Sequence, residues 1–181
     1  EYSIRKSISE SEGELFFNSS FNLFFISSFF IALLLYFFST SIIGLFITKS
    51  DLADFKLTQN IFKLFLITIP FNAGISIISV YLQCKFNFIF PAMVQILMNT
   101  IVIILVFAFT DLYQIYILPL SFIISYILGF ILLWVGVRKH FHFKNFNPKS
   151  LSFNTNQLKT ITSLIIIEGL SLSYILTDRY Y

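Results

Sequence analysis

Two residues of opposite charge near the carboxyl end are the clearest candidates for chemistry. Glu168 lies between Ile167 and Gly169 in an apolar stretch, and Arg179 follows it by eleven residues. Eleven residues at 100° each return to nearly the same helix face, about 16 Å further along the axis. A carboxylate inside hydrocarbon is costly and usually marks a substrate or ion pathway. We therefore predict one helix face with an acid at mid-depth and a base near its end.

A structural role is the alternative for these charges. Glu168 either lines a pathway or pairs with a serine or backbone group between helices, where it can also stay protonated. Asp178 adjoins Arg179, so the two side chains cannot share one helical face. Asp178 then either belongs to the same pathway or caps the end of the helix. The sequence leaves both alternatives open.

Three amides lie in other apolar stretches. Gln95 and Asn99 are four residues apart and share a helix face, where they either bond to a neighbouring helix or contact a substrate. Asn72 follows Pro70 by two residues, so it either satisfies the carbonyl freed by the proline or lines a polar cavity. We expect helix kinks at the prolines within the apolar stretches, Pro70, Pro91 and Pro119.

The remaining reactive residues exclude several classes of protein. Cys84 is the single cysteine, which rules out an internal disulfide or a thiolate metal cluster. His140 and His142 lie in a polar connection with no second ligand pair nearby, and no nucleophile, base and acid set is apparent. We therefore expect no metal, no cofactor and no enzymatic reaction. The positive charges lie in connections rather than on a basic face, so we expect no nucleic-acid partner.

These residues are embedded in a strongly apolar chain of 181 residues, 57% hydrophobic and 12% charged. Charged residues cluster, leaving four long uncharged runs at 15–48, 64–84, 86–110 and 112–137. Each run is long enough to cross a bilayer, since about 20 residues suffice to cross a hydrocarbon core of roughly 30 Å as a helix. The composition therefore predicts a multi-pass protein that lies in a lipid bilayer.

The pattern predicts an all-α membrane protein, a polytopic helical bundle with five transmembrane helices. The apolar runs do not alternate with polar residues, which argues against a barrel of strands. The expected spans are 17–43, 57–83, 88–109, 113–137 and 160–177, with a basic connection at 138–159. The chain starts with Glu1 and stops soon after an apolar segment, so we expect a piece of a longer protein.

The lysines and arginines predict the orientation of these spans. With five crossings, the amino end and the second and fourth connections share one side, which holds eight of the twelve Lys and Arg residues. Short flanking loops rich in these residues stay in the cytoplasm. We therefore place the amino end and the basic connection 138–159 in the cytoplasm.

The third span carries a recognisable motif. In KFNFIFPAMVQILMN, residues 85–99, an aromatic residue precedes Pro-Ala by three positions and an Asn follows the Pro by eight. Phe88, Pro91, Ala92 and Asn99 occupy these places, and the stretch resembles the corresponding segment of MviN/MurJ-type lipid II flippases. The segments 67–83 and 10–14 and the terminal ILTDRYY are similar to other parts of the same family. This chain departs from the family where Phe86 and Asn87 replace a common Gly-Arg, and where Gln95 replaces a proline.

The resemblance covers helices three to seven of a fold that normally has about fourteen. It implies transport of an undecaprenyl-pyrophosphate-linked glycan, lipid II, across the bacterial cytoplasmic (inner) membrane by alternating access. It also implies that the main cavity arginines lie on helices outside this chain, leaving Arg179 for anion attraction and Glu168 for coupling or gating. A coupling ion or the membrane potential would drive the cycle.

Three alternatives to lipid II transport stay open. An O-antigen or capsular polysaccharide-repeat flippase belongs to the same multidrug/oligosaccharide-lipid/polysaccharide exporter superfamily. A multidrug exporter is more remote. A membrane scaffold that transports nothing would also explain five helices with polar contacts between them.

Overall fold

The structure, a computed structural model, describes residues 10–46 and 52–138, which form helices joined by short links. No strand occurs in these two ranges. The helices are α1 (Glu10–Phe37), α2 (Ser39–Phe46), α3 (Leu52–Leu66), α4 (Thr68–Cys84), α5 (Ile89–Tyr113) and α6 (Ile117–Val137), with a 3₁₀ turn at Gln114–Tyr116 between the last two. The all-helical prediction is confirmed.

Three helical stretches in this part of the chain are long and apolar enough to cross a membrane: Ser11–Phe37, Leu52–Cys84 and Ile89–Val137. The last has 49 residues, about 74 Å of helix and more than twice the thickness of the hydrocarbon core. It is divided by the 3₁₀ turn, where Gln114 has a φ of 50°. The chain reverses direction there, so α5 and α6 form a hairpin.

Side-chain contacts show that α5 and α6 run antiparallel. Gly129 of α6 faces the Met98 side chain of α5, and Gly136 faces Phe90, so residue numbers rise on one helix as they fall on the other. The buried Ser125 hydroxyl donates to the Met98 carbonyl oxygen at 2.8 Å. Small residues on α6 thus allow close approach, and a hydrogen bond from a serine side chain joins the two helices.

Aromatic rings hold α1 against α4 and α6. The rings of Phe17 and Tyr81 stack with centroids 4.0 Å apart, and Phe21 packs 5.7 Å from Trp134. Phe130 lies at the centre of this cluster. The buried core comprises Phe17, Phe21, Ile75, Ile78, Tyr81, Leu82, Val94, Met98, Leu133 and Val137.

The boundary between α3 and α4 lies at Ile67, three residues before Pro70. Pro70 has no backbone N–H to donate to the Leu66 carbonyl, so the regular ladder is interrupted. Ile67 N–H donates instead to the Leu64 carbonyl at 3.1 Å, and the Thr68 hydroxyl donates to Phe65 O at 2.7 Å. These two bonds engage the carbonyls of Leu64 and Phe65, the two residues before Leu66.

The antiparallel order defines two ends of the bundle. One end holds the start of α1, the α4–α5 turn at Lys85 and the end of α6 at Arg138; we call it the lysine end. The opposite end holds Tyr36 near the end of α1 and Tyr116 at the 3₁₀ turn; we call it the tyrosine end. The number of residues from Lys63 to Lys85 equals the number from Tyr116 to Arg138. Each corresponds to about 33 Å of helix, close to the thickness of the hydrocarbon core.

Candidate functional site

An apolar groove with a volume of about 790 Å³ lies between α1, α3 and the start of α4. Its walls are aromatic and aliphatic, and its polar groups gather at the tyrosine end. The residues that define it are Phe25, Phe29, Tyr36, Lys63, Phe71 and Tyr116. A groove of this size, mostly apolar with few polar groups, is typical of a site for a small amphipathic ligand.

Lys63 is the charged residue of the groove. Its ammonium nitrogen lies 4.9 Å from the centre of the Tyr36 ring, a cation–π contact. The side chain is half-buried, and it forms no ion pair with a carboxylate of residues 10–46 or 52–138. The contact with Tyr36 holds the lysine at the groove, and no carboxylate in the described part of the chain compensates its charge.

A second polar region lies in the first half of α1, toward the lysine end. Asn18, Ser20 and Asn22 are 2%, 9% and 7% exposed. In each, one side-chain atom has no hydrogen-bond partner among residues 10–46 and 52–138: Asn18 Oδ1, Ser20 Oγ and Asn22 Nδ2. An unsatisfied buried polar group costs free energy. Asn18 and Asn22 are four residues apart and share a helix face, as Gln95 and Asn99 do.

The predicted amides lie on exposed surface and apart from the groove. Asn72 on α4 and Gln95 and Asn99 on α5 are all exposed, and none of them lines the groove. Their predicted roles in a substrate pathway or in helix contacts stay predictions.

Prolines lie in the first turns of three helices. Pro70, Pro91 and Pro119 are the third residues of α4, α5 and α6, and all three are buried. A proline is tolerated in the first turn because the N–H it lacks would have no partner within the helix. Pro70, which was predicted as a helix kink, also lines the groove.

The residues with the most specific predicted roles lie outside the part of the chain that the structure describes. These are Glu168, Asp178 and Arg179, the span 160–177, and the basic connection beyond Arg138. Within the ranges that the structure describes, no group of three His, Cys, Asp or Glu residues could hold a metal ion.

Sequence reasoning missed the two polar regions of the structure. Asn18 and Asn22 carry the same four-residue spacing that singled out Gln95 and Asn99, and this signal was present in the first apolar run. Lys63 lay in the predicted span 57–83 and was used only as one of the four Lys and Arg residues on the non-cytoplasmic side. Its role at the groove depends on the contact with Tyr36, which lies on another helix and has no local signature in the sequence.

Comparison with known protein families identifies one family that matches this chain. The family model described as lipid II flippase MurJ matches residues 1–177 of the chain. The chain belongs to the MurJ family of lipid II flippases. The match confirms the resemblance seen in the sequence, and a MurJ-type protein is a multi-pass transporter rather than an enzyme in the usual sense. Neither a curated protein nor a solved structure matches the chain significantly.

Proposed function

We propose that this MurJ-family protein moves lipid II, an undecaprenyl-pyrophosphate-linked glycan, from the cytoplasmic to the outer leaflet of the bacterial inner membrane. The single observation that carries the proposal is the family match over residues 1–177. The antiparallel bundle with an open groove and buried amides is consistent with it. The transport is part of peptidoglycan biosynthesis.

The chemical difficulty of this transport is moving a pyrophosphate and a hydrated glycan through hydrocarbon. Neither group can lose its water without polar or charged protein groups to replace it. The lipid tail can remain in the bilayer throughout. Alternating access, in which two helical bundles rock around a central polar site, satisfies both conditions.

The proposed orientation has the amino end and the lysine end of the bundle in the cytoplasm. Lys85 and Arg138 then belong to the cytoplasmic side, in agreement with the distribution of basic residues. The groove at Lys63 lies toward the outer leaflet. In this arrangement we assign Glu168 to coupling or gating and Arg179 to attraction of the anionic substrate.

Complementation tests the proposal. The full-length natural protein that carries this sequence is expressed in bacteria depleted of their own lipid II flippase, and membrane insertion is checked in parallel. We expect restored growth and cell shape. Absence of rescue by a well-inserted protein would contradict lipid II transport and favour another lipid-linked glycan, such as an O-antigen repeat.

A substitution of Glu168 tests its assigned role. We expect Glu168→Gln to abolish rescue because the amide cannot change its charge during the cycle. Asp54→Asn is the matched control, since Asp54 is an exposed acid in the first turn of α3. Equal rescue by both variants at equal protein levels would remove Glu168 from the mechanism.

A further inference from the structure

We propose that the groove at the tyrosine end binds one phospholipid of net negative charge from the adjoining leaflet. One acyl chain lies along the apolar wall, and the phosphate lies beside Lys63. The proposal rests on the geometry and charge of the groove and does not depend on which glycan the protein transports.

The depth of Lys63 matches the level of lipid phosphates. Lys63 lies within the helical stretch Leu52–Cys84, and Lys85 lies in the turn that follows it. The two residues are separated by about 33 Å of helix, and the hydrocarbon core is roughly 30 Å thick. Lysine side chains near helix ends reach toward the lipid headgroups. If Lys85 lies at one membrane surface, this separation places Lys63 at the opposite membrane surface.

The length of the groove matches one leaflet. Phe25 lies eleven residues before Tyr36, about 16 Å along α1, and Phe71 lies eight residues after Lys63, about 12 Å along the other wall. Half of a hydrocarbon core is about 15 Å. The groove therefore extends from the headgroup level to the middle of the bilayer, as one acyl chain does. A long polyprenyl chain would extend beyond it.

The charge at the mouth of the groove favours an anion. Lys63 carries no ion pair with the described carboxylates. Asp54 lies nine residues before Lys63, which places it on the opposite face of α3. Asn60 also lines the mouth and offers an amide donor. A phosphate complements this arrangement better than a neutral headgroup does.

Retention of lipid by the purified protein tests the proposal. The full-length protein is incorporated into bilayers of equal phosphatidylglycerol and phosphatidylcholine, extracted mildly and examined by native mass spectrometry. We expect phosphatidylglycerol to be retained preferentially, and Lys63→Gln to lower this retention about fivefold. Lys56→Gln is the matched control because Lys56 is exposed and does not line the groove. Lys63→Arg keeps the charge and should retain the lipid.

A second variant tests the apolar wall separately from the charge. Ala32 lines the groove, so Ala32→Trp should fill it and reduce the retention of both phospholipids while leaving Lys63 in place. Unchanged retention in Lys63→Gln, or an equal loss in Lys56→Gln, would overturn the proposal. Displacement of phosphatidylglycerol by equimolar undecaprenyl phosphate would also overturn it, because the groove would then belong to the polyprenyl lipid.

Discussion

At the scale of single residues, Phe86 combines an unfavourable backbone conformation with an exposed side chain. Its φ is 60°, in the left-handed region where a Cβ atom costs roughly 1–2 kcal/mol. The residue is 87% exposed, so burial contributes little to offset this cost. MurJ-type proteins often have a glycine at this position of the motif, and glycine adopts such a conformation without strain.

We therefore expect Phe86→Gly to stabilise the full-length protein by about 1 kcal/mol, measured by unfolding in detergent. Phe88→Gly is the matched control because Phe88 is also exposed but has a φ of −89°. There, glycine adds backbone freedom to the unfolded chain and should destabilise by roughly 0.5–1 kcal/mol. A loss of stability in Phe86→Gly as large as that in the control would contradict the account of strain.

Sequence reasoning at this scale found residue types but not their environments. The four-residue spacing identified Gln95 and Asn99, which are exposed, while the same spacing at Asn18 and Asn22 belongs to buried side chains. Spacing determines which residues share a helix face. It does not determine what covers that face, because this depends on helices distant in sequence.

At the scale of helices, close packing depends on a glycine of α4 that lies against an aromatic ring of α6. A Cβ atom at Gly74 would lie 2.5 Å from Cε2 of Phe130. The Phe130 ring is itself surrounded by the rings of Phe21, Phe25 and Trp134. A shift of the Phe130 ring would change its contacts with these three rings.

We expect Gly74→Ala to destabilise the protein by roughly 1–3 kcal/mol through overpacking, despite the better helix propensity of alanine. Gly44→Ala is the control: nothing lies within 4 Å of a Cβ atom there, so the same change should stabilise by up to about 1 kcal/mol. Thermal unfolding of the two variants in one detergent measures the difference. A Gly74→Ala protein as stable as Gly44→Ala would show that α4 and α6 are not closely packed at this point.

The formation of helices was the feature of this structure that the sequence predicted best. Long uncharged runs leave the backbone no partner in hydrocarbon except itself, so helices follow from composition alone. The pairing of the helices was harder to predict from the sequence. The surface of α1 is mostly apolar, so no narrow band of apolar residues marks the side that contacts other helices. The division between α3 and α4 at Ile67 does have a local cause, since Pro70 interrupts the ladder of hydrogen bonds.

At the scale of the whole molecule, the orientation proposed from basic residues makes a direct prediction for Cys84. This residue ends α4 at the lysine end and is partly exposed. In a full-length protein with other cysteines removed, we expect an impermeant maleimide to label Cys84 in inverted vesicles and not in intact cells. Ser41→Cys, at an exposed position of α2, should give the reverse result in a background without Cys84. If both sites were labelled from the same side, the helices between them, α3 and α4, would not cross the membrane, and the proposed orientation would be wrong.

Short motifs were sufficient to predict that the chain belongs to the MurJ family, because the Pro-Ala and Asn positions of the third span match the family's motif. The residues that line a substrate pathway could not be predicted in the same way, because spacing along the chain does not show which helices lie beside one another. Glu168 and Arg179 illustrate this difference. Their types and spacing indicate a function, while the sequence does not show which residues of other helices lie near them.

The most direct test of the central claim is transport of labelled lipid II in vesicles that contain the full-length protein. Lipid II is placed in the leaflet equivalent to the cytoplasmic side, and its appearance in the opposite leaflet is followed with a membrane potential of either sign. We predict transfer well above that of protein-free vesicles, with strong reduction by Glu168→Gln. Transfer equal to that of protein-free vesicles under every potential, from correctly inserted protein, would contradict the assignment as a lipid II flippase.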